Sequence, residues 1–239
     1  MLSHIRARLA ALVYARSTLS PLTRAREICA LCAETTGASG VALSVAGSRL
    51  PGVTSTVCAT DAVGMRLEEL QLGLGEGPIA DALDSTLPVL AEDLADISHL
   101  RWLWFTPAAV EAGAAALFVL PLCSGETGLG ALSLYRRTSG DLTAEQFDDF
   151  RAHADAMTLI LLDDNADSGE QPGSWTVGDG TGFQPVIQQA VGVIMADLDV
   201  DVEYALVRLR GHAFAVGQSI SAVAHDVVAR RLRLDPDAV

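Results

Sequence analysis

Apolar residues recur with the 3.6-residue period of a helix at both ends of the first two thirds of the chain. Residues 2–16 and 21–36 show this period near the start, and residues 143–162 show it again at the other end. Two shorter helices are predicted at residues 65–72 and from Pro78 onward, where a glycine-rich stretch ends. Helices are therefore expected on both sides of a central region.

In that central region the pattern changes to the alternation and the short apolar runs that are typical of strands. Residues 40–46 and 54–60 form one pair of such runs. Residues 115–123 and 129–136 form a second pair, and the SGETG sequence between them is a hairpin signal. Together with a short strand at residues 88–91, this order of elements predicts an α+β domain.

A stretch poor in apolar residues separates this domain from the rest of the chain. It reads DNADSGEQPGSWTVGDGTG and is rich in Gly, Asp and Ser, a composition typical of a flexible linker. We therefore divide the chain into a first domain at residues 1–163, a linker at residues 164–182 and a C-terminal domain at residues 183–239.

The C-terminal domain begins with three short helical patterns that follow one another over residues 183–234. Asp201 and Ser219 are the expected N-caps of the second and third helices. Five arginines balance five acidic residues in this segment, whereas the whole chain carries a formal charge of −14. The excess of negative charge disfavours broad nucleic-acid binding, but it lies almost entirely outside these helices.

One side of the second predicted helix combines three kinds of polar side chain. At 100° per residue, Tyr204, Arg208 and His212 fall on one ridge away from the apolar stripe. Such a ridge is suited to stacking on unpaired bases and contacting phosphate, and the alternative is an ordinary solvated helix face. Flanking phosphate contacts are predicted from three further arginines: Arg210, Arg230 and Arg231.

Three motifs occur in order along this segment: AVGVIM at residues 190–195, EYAL at 203–206 and LRGHA at 209–213. With the apolar pattern of the last helix, they resemble the ANTAR domain, the RNA-binding output module of transcription antitermination regulators. The resemblance implies a three-helix domain that binds hairpins in leader RNA as a dimer. The chain departs from it at Val191, where many members have Lys, and this predicts the loss of one phosphate contact.

Motifs in the first domain carry a second resemblance. LGEGPIADAL at residues 74–83, RWLWF at 101–105 and the paired runs LFVLPLC and LGALSLY resemble a GAF domain, a sensor fold with an antiparallel sheet flanked by helices. The resemblance implies a response to a small molecule or another signal. Members often have Cys after GEGP and Pro after RW, but this chain has Ile79 and Leu103, so Cys-dependent sensing is not expected.

A sensor cavity is predicted around aromatic and sulfur-containing residues that lie in or beside the predicted strands. The alternative is that the same side chains fill an ordinary core. The residues are Cys58, Trp102, Trp104, Phe105 and Cys123.

The sequence offers few signals of enzyme chemistry. The glycine-rich GLGEG stretch lacks the Lys of a phosphate-binding loop, and the five histidines are scattered without metal-ligand spacing. Cys29 and Cys32 have redox spacing but lie in a helical pattern, where burial is the simpler interpretation. We therefore expect no catalytic residue, no metal site and no cofactor. Since no apolar run reaches about 18 residues, we also expect no membrane span and a cytoplasmic protein.

These patterns favour a signal-responsive RNA-binding antitermination regulator that is not an enzyme. We expect a homodimer formed through residues 143–162 and the N-terminal helix. One alternative is a DNA-binding regulator whose second and third C-terminal helices form a helix-turn-helix, with residues 219–233 as the recognition helix. Another is a dimerising ligand- or protein-binding sensor without nucleic-acid binding.

Overall fold

The computed structural model describes residues 2–46, 53–96, 101–168 and 184–234. The first part of the chain contains both helices and strands, and three helices follow in the last part. The first part contains α1 (Leu2–Tyr14), α2 (Pro21–Thr36), β1 (Gly40–Ala46), β2 (Thr54–Ala59), α3 (Ala62–Leu74), α4 (Pro78–Ser85), β3 (Val89–Ala91), α5 (Phe105–Glu111), β4 (Ala116–Ser124), β5 (Thr127–Arg136) and α6 (Ala144–Ser168). The last part contains α7 (Gln184–Leu198), α8 (Val202–Ala215) and α9 (Ile220–Val228).

The five strands form one sheet in the order β2-β1-β5-β4-β3, and every neighbouring pair is antiparallel. The β4–β5 hairpin turns at Gly125, whose φ of 61° lies in the left-handed region that glycine adopts without strain. Gly130 on β5 faces Val45 on β1, and a Cβ there would lie 2.3 Å from the Ser44 carbonyl oxygen. The predicted α+β class is confirmed.

Both faces of the sheet are covered by helices, so its inner strands are apolar on both sides. Side chains of β4 alternate between the two layers. Phe118 and Leu120 pack with α1, α2 and α6, whereas Leu117 and Val119 pack with α3, α4 and α5. The first domain therefore has two separate apolar layers divided by the sheet.

The three C-terminal helices supply most of a third apolar cluster. Asp201 caps α8 by accepting from the Tyr204 N–H at 2.8 Å, and Ser219 caps α9 by accepting from the Ala222 N–H at 3.1 Å, as predicted. The side chains that fill the space between the helices are Ile187, Ala190, Val191, Ile194, Ala205, Leu206, Leu209, Ala213, Ile220, Val223, Ala224 and Val227.

The two parts of the chain touch along α3. Leu72 and Val53 of the first domain belong to the same apolar cluster as the three C-terminal helices. A Cβ on Gly73 would lie 3.7 Å from the Ile220 side chain, so α9 begins directly against α3. The rings of Trp104 and Phe214 also meet across this junction, with centroids 5.0 Å apart.

Some predicted boundaries differ from the structure. Helix α5 was not expected, α3 starts at Ala62 rather than near residue 65, and α6 continues to Ser168 rather than ending near residue 162. Helix α9 ends at Val228, well before the predicted end at residue 233. Most of the predicted linker, at residues 169–182, lies outside the described residues.

Candidate functional site

The predicted ridge lies on the outer side of α8. Tyr204 is 48% exposed, and Arg208 and His212 are half-buried. The helix buries a neighbouring side, where Leu209 and Ala213 pack into the core of the three helices. The three ridge residues are spaced four apart, so their side chains follow one another along one line of the helix surface.

Arg210 does not join this ridge. Two residues after Arg208 on a helix, it points about 160° away from it. Its Nε donates to the Leu72 carbonyl oxygen at 2.9 Å, and its guanidinium lies against Gly75, where a Cβ would be 3.0 Å from Nη1. Burial lowers the pKa of this guanidinium. The Arg210 side chain is therefore directed at the first domain rather than at the ridge, and its role as a phosphate contact stays a prediction.

Arg230 and Arg231 follow the end of α9 rather than filling its last turn. Arg230 has a φ of 57°, in the left-handed region, which ends the helix. Its side chain forms an ion pair with Asp197, and the Arg231 side chain forms one with Asp226. Both arginines are exposed, but each already has a carboxylate beside it.

Val191 is only 1% exposed and lies in the core of the three helices. A Lys at the same place would have to pass its stem through apolar side chains before its ammonium reached water. The expected loss of a phosphate contact at this position stays a prediction.

The five residues of the predicted sensor cavity do not line one space. Cys58 faces α2, with its Sγ 3.3 Å from that of Cys29, whereas Trp102 and Phe105 are buried on the other side of the sheet. Trp104 is 54% exposed, and Cys123 borders a shallow groove beside α6. The structure therefore does not bring the five residues around one space, because the sheet separates Cys58 from Trp102 and Phe105.

The cysteines near Cys58 are buried in α2. Cys29 and Cys32 are at most 1% exposed, and burial raises the pKa of the Cys32 thiol. The pKa of Cys29 is also raised, chiefly by its contact with Cys58 and then by burial. Because the thiolate is the reactive form, these cysteines act as small core residues, as the sequence suggested.

The two motifs that resemble GAF domains hold each other in place. Glu76 accepts hydrogen bonds from the N–H groups of Trp104 and Phe105, at 2.6 and 2.7 Å, and so caps α5. Asp81 accepts from Trp102 Nε1 at 2.8 Å and forms an ion pair with Arg101. These charged residues position the α4–α5 region, which gives the motifs a structural role.

Glycines shape the same region. Gly75 ends α3 with a φ of 70°, and Gly77 has a φ of 136°, which side-chain-bearing residues rarely adopt. A Cβ on Gly77 would lie 2.5 Å from the Gln71 side chain. That side chain accepts from the Ile79 N–H at 2.8 Å, at the start of α4. The LGEGP sequence thus joins α3 to α4 through a turn that needs both glycines.

The sequence analysis did not identify the buried carboxyl group of Glu68. Glu68 on α3 is 4% exposed and accepts hydrogen bonds from the hydroxyls of Ser44 and Ser133, on neighbouring strands. Burial raises its pKa to about 6, although the two hydroxyls oppose the shift. Its spacing from Leu72, one turn later on α3, was the signal that it faces inward.

Other kinds of site are not apparent in the described residues. Within residues 2–46, 53–96, 101–168 and 184–234, no three His, Cys, Asp or Glu side chains are placed to hold a metal ion. In the same ranges, no helix has the length and apolar character needed to cross a bilayer.

Solved structures resemble the first part of the chain. The GAF domain of a phosphoenolpyruvate-protein phosphotransferase from Coxiella burnetii matches with 14% identity and a TM-score of 0.55, over 70% of this chain and 96% of that one. The corresponding domain from Acinetobacter matches over the same shares with 11% identity and a TM-score of 0.53. The first part has the fold of GAF domains.

A further match has an enzymatic activity. Free methionine-R-sulfoxide reductase from Neisseria meningitidis, solved in complex with its substrate, aligns at 13% identity and a TM-score of 0.51, over 68% of this chain and 91% of that one. At these identities the likenesses establish the fold alone. No protein-family model matches the chain, and no curated protein matches it. The ANTAR resemblance of the last three helices stays a prediction.

Proposed function

We propose that the protein is a non-enzymatic, signal-responsive regulator of transcription antitermination, whose α7–α9 helices bind hairpin RNA under the control of the GAF-fold domain. The observation that carries this proposal is the ridge of Tyr204, Arg208 and His212 on α8. It combines a ring for stacking, a guanidinium for phosphate or base contact, and an imidazole, at one-turn intervals.

The position of the ridge supports this proposal. The core side of α8 is occupied by Leu209 and Ala213, and the side that meets the first domain is occupied by Arg210 and Phe214. The ridge uses the third side of the helix. An RNA bound there would not have to displace either set of contacts.

The charge of the chain shapes the expected binding. With a net charge of −14, the protein repels nucleic acid at long range, and Arg230 and Arg231 are paired with carboxylates. Recognition would therefore depend on a few close contacts and on stacking, with a small number of phosphates neutralised.

Hairpin RNA binding to the full chain, measured at several salt concentrations, tests the proposal. Arg208→Ala should reduce the slope of log K against log salt by about one unit, whereas Tyr204→Ala should cost about 1–3 kcal/mol at every salt concentration. Arg26→Ala on α2 is the matched control, since it removes one exposed arginine from the opposite side of the sheet.

Two results would contradict the proposal. Parent-like binding by both ridge variants at all salt concentrations would remove the ridge from the interface. An absence of binding by the parent to any structured RNA would favour the dimerising sensor instead. The contact of Arg210 with the first domain and the ion pair of Arg230 support that second candidate, because they leave fewer cations for nucleic acid.

The structure offers less support for a DNA-binding helix-turn-helix. Helix α9 has only nine residues, and Arg230, Arg231 and Arg233 lie beyond its end. On its outer side, Ala222 is a residue that can contact only methyl groups of bases. Duplex DNA in the same titration provides the direct comparison.

We also propose that the protein is a homodimer formed through α1 and α6. Apolar side chains remain exposed on these two helices, with Tyr14 75%, Leu159 53% and Leu162 38% exposed. Arg151 and Asp155 accompany them on α6, so two copies can pair opposite charges across the contact. Leu159→Glu should convert the dimer to a monomer in analytical ultracentrifugation, and an unchanged sedimentation coefficient would exclude this surface.

A further inference from the structure

The last turn of α3 is a place where α8 meets the first domain. Helix α3 ends at Leu74, and Gly75 follows it with a φ of 70°, in the left-handed region. The Gly75 N–H donates to the Gln71 carbonyl oxygen at 2.9 Å. The next carbonyl oxygen, that of Leu72, accepts from Arg210 Nε, also at 2.9 Å. Two carbonyl groups at this helix end are therefore satisfied, one from the end of α3 itself and one from α8.

A positive charge at this position stabilises the helix. The carbonyl end of a helix carries a partial negative charge, which favours a nearby cation. The last turn of α3 contains no basic residue of its own. Arg210, 138 residues after Leu72 in the chain, places its guanidinium there instead. Helix α3 is therefore completed by a residue of the C-terminal helices.

Gly75 makes room for this guanidinium. A Cβ at position 75 would lie 3.0 Å from Nη1 of Arg210 and 3.2 Å from its Cζ, so a side chain here would push the guanidinium away from the helix end. Burial lowers the pKa of Arg210. Because removing a cation from water costs free energy, the contacts at the end of α3 have to offset that cost.

The turn that follows α3 reaches α8 a second time, through α5. Glu76, in the turn between α3 and α4, accepts from the Trp104 N–H at 2.6 Å and so fixes the start of α5. The Trp104 ring meets that of Phe214, which lies one turn after Arg210 on α8. One short turn of the first domain therefore positions both contacts, and together they fix the rotation of α8 about its own axis.

We propose that Arg210 is a positioning residue, which holds α8 on the end of α3 and so sets where the ridge lies relative to the GAF-fold domain. Arg210 is two residues from Arg208 and two from His212, on the same helix. A change in the turn between α3 and α4 therefore moves or releases the ridge as a unit. The inference deepens the regulatory half of the proposed function and rests on it for its regulatory meaning, whereas the contact itself does not involve RNA.

An engineered disulfide measures this contact in the full chain, without RNA. A Cβ at position 73 would lie 3.8 Å from the Ile220 Cβ, within the range of natural disulfides. The double variant Gly73→Cys/Ile220→Cys should therefore form this bond on incubation with oxidised glutathione, which accepts the two electrons and is reduced to two thiols. Mass spectrometry of the linked peptides measures the rate and distinguishes this bond from any that involve the native cysteines.

Variants of Arg210 in this background test its role. Arg210→Gln should slow bond formation by about tenfold, because hydrogen bonds from charged donors are the stronger ones and this one is lost. Arg210→Lys keeps a cation at the helix end, so its rate should lie between the other two. Arg26→Gln, which removes an exposed arginine on α2, should react at the parent rate. An unchanged rate in Arg210→Gln, or no bond in the double variant alone, would overturn the proposal.

A pair of glycine variants tests the same contact while Arg210 stays in place. Gly75→Ala adds a methyl group against the guanidinium, whereas Gly37→Ala adds one where nothing lies within 4 Å. Both glycines end a helix in the left-handed region, with φ of 70° and 64°, so the two variants share the same backbone strain. Gly75→Ala should therefore slow bond formation and Gly37→Ala should not, and equal rates would count against the proposal. A failure of RNA binding would leave these rates unaffected and would remove only their regulatory meaning.

Discussion

The GAF-fold domain and the three C-terminal helices fill their interiors in different ways. Among the described residues, eight buried polar side chains lie in the first domain, and Ser221 is the single one in the helices. The eight are Arg24, Thr36, Ser44, Glu68, Gln71, Ser133, Asp149 and His153. The helical domain is instead filled almost entirely by aliphatic side chains.

This difference separates two sources of specificity. Inside the first domain, hydrogen bonds such as those of Glu68 and Gln71 fix how α3 lies on the sheet and where α4 begins. The helical domain has no comparable buried polar network among its described residues, so its packing depends on shape and its chemistry lies on its surface. The stability of the first domain should therefore depend on pH, whereas that of the helical domain should depend on the volume of its buried side chains.

The largest effect is expected from a core truncation in the helical domain. Leu209 is fully buried between the three helices, and replacing it by Ala should cost about 2–5 kcal/mol of unfolding free energy. Hydrogen exchange read by mass spectrometry should show faster exchange in α7–α9, while β4 and β5 keep their protection. Val207→Ala is the control on the same helix, since Val207 is 60% exposed.

Equal loss of protection in the sheet and in the helices would contradict this prediction. It would mean that the shared contacts at Leu72 join the two parts into one cooperative unit. The two parts would then unfold together, although their interiors differ in polarity.

A smaller effect, of the opposite sign, is expected from Glu68→Gln in the first domain. Burial raises the pKa of Glu68 from its ordinary value of 4.5 to about 6, so the folded state holds this proton more tightly than the unfolded state. The stabilising contribution is complete below pH 4.5 and is lost as the pH rises through 6. Glutamine stays neutral, so above pH 6 the variant should gain about 2 kcal/mol relative to its difference at low pH.

Chemical denaturation of parent and variant between pH 4 and pH 8 measures this difference. Subtracting the two curves removes the contributions of Asp149 and His153, which are common to both proteins. A difference that does not change with pH would show that Glu68 has the same pKa in the folded and unfolded states. If the stability of the helical domain depended on pH as strongly, the proposed difference between the two interiors would be wrong.

Sequence reasoning located the elements whose signals are local. The N-caps Asp201 and Ser219 start helices through bonds within a few residues, and both were identified. The alternating runs of β1 and the hairpin of β4 and β5 were also predicted within one or two residues. The α+β class followed from the order of these elements, and the resemblance of the motifs implied the GAF fold.

Contacts between distant residues were not predictable in the same way. Helix α5 was missed because its cap is Glu76, which lies 28 residues before Trp104. Arg210 was predicted to flank the ridge as a phosphate contact because nothing near it in the sequence reveals the carbonyl of Leu72, 138 residues away. The separation of Cys58 from Trp102 likewise depends on which face of the sheet each occupies, and a single-residue change of register would reverse it.

The smallest effect concerns the contact that joins the two regions. The rings of Trp104 and Phe214 meet at 5.0 Å with planes 69° apart, an edge arrangement that contributes about 0.5–1.5 kcal/mol beyond burial. Phe214→Ala should remove this contribution. It should also shift tryptophan emission to longer wavelength, because loss of the ring exposes more of the Trp104 indole, which is already half exposed. Phe214→Leu keeps apolar bulk without the ring, so it should show a smaller shift. In a Trp104→Phe background both shifts should vanish. Emission that is unchanged in Phe214→Ala would mean that the two regions do not hold this contact in solution.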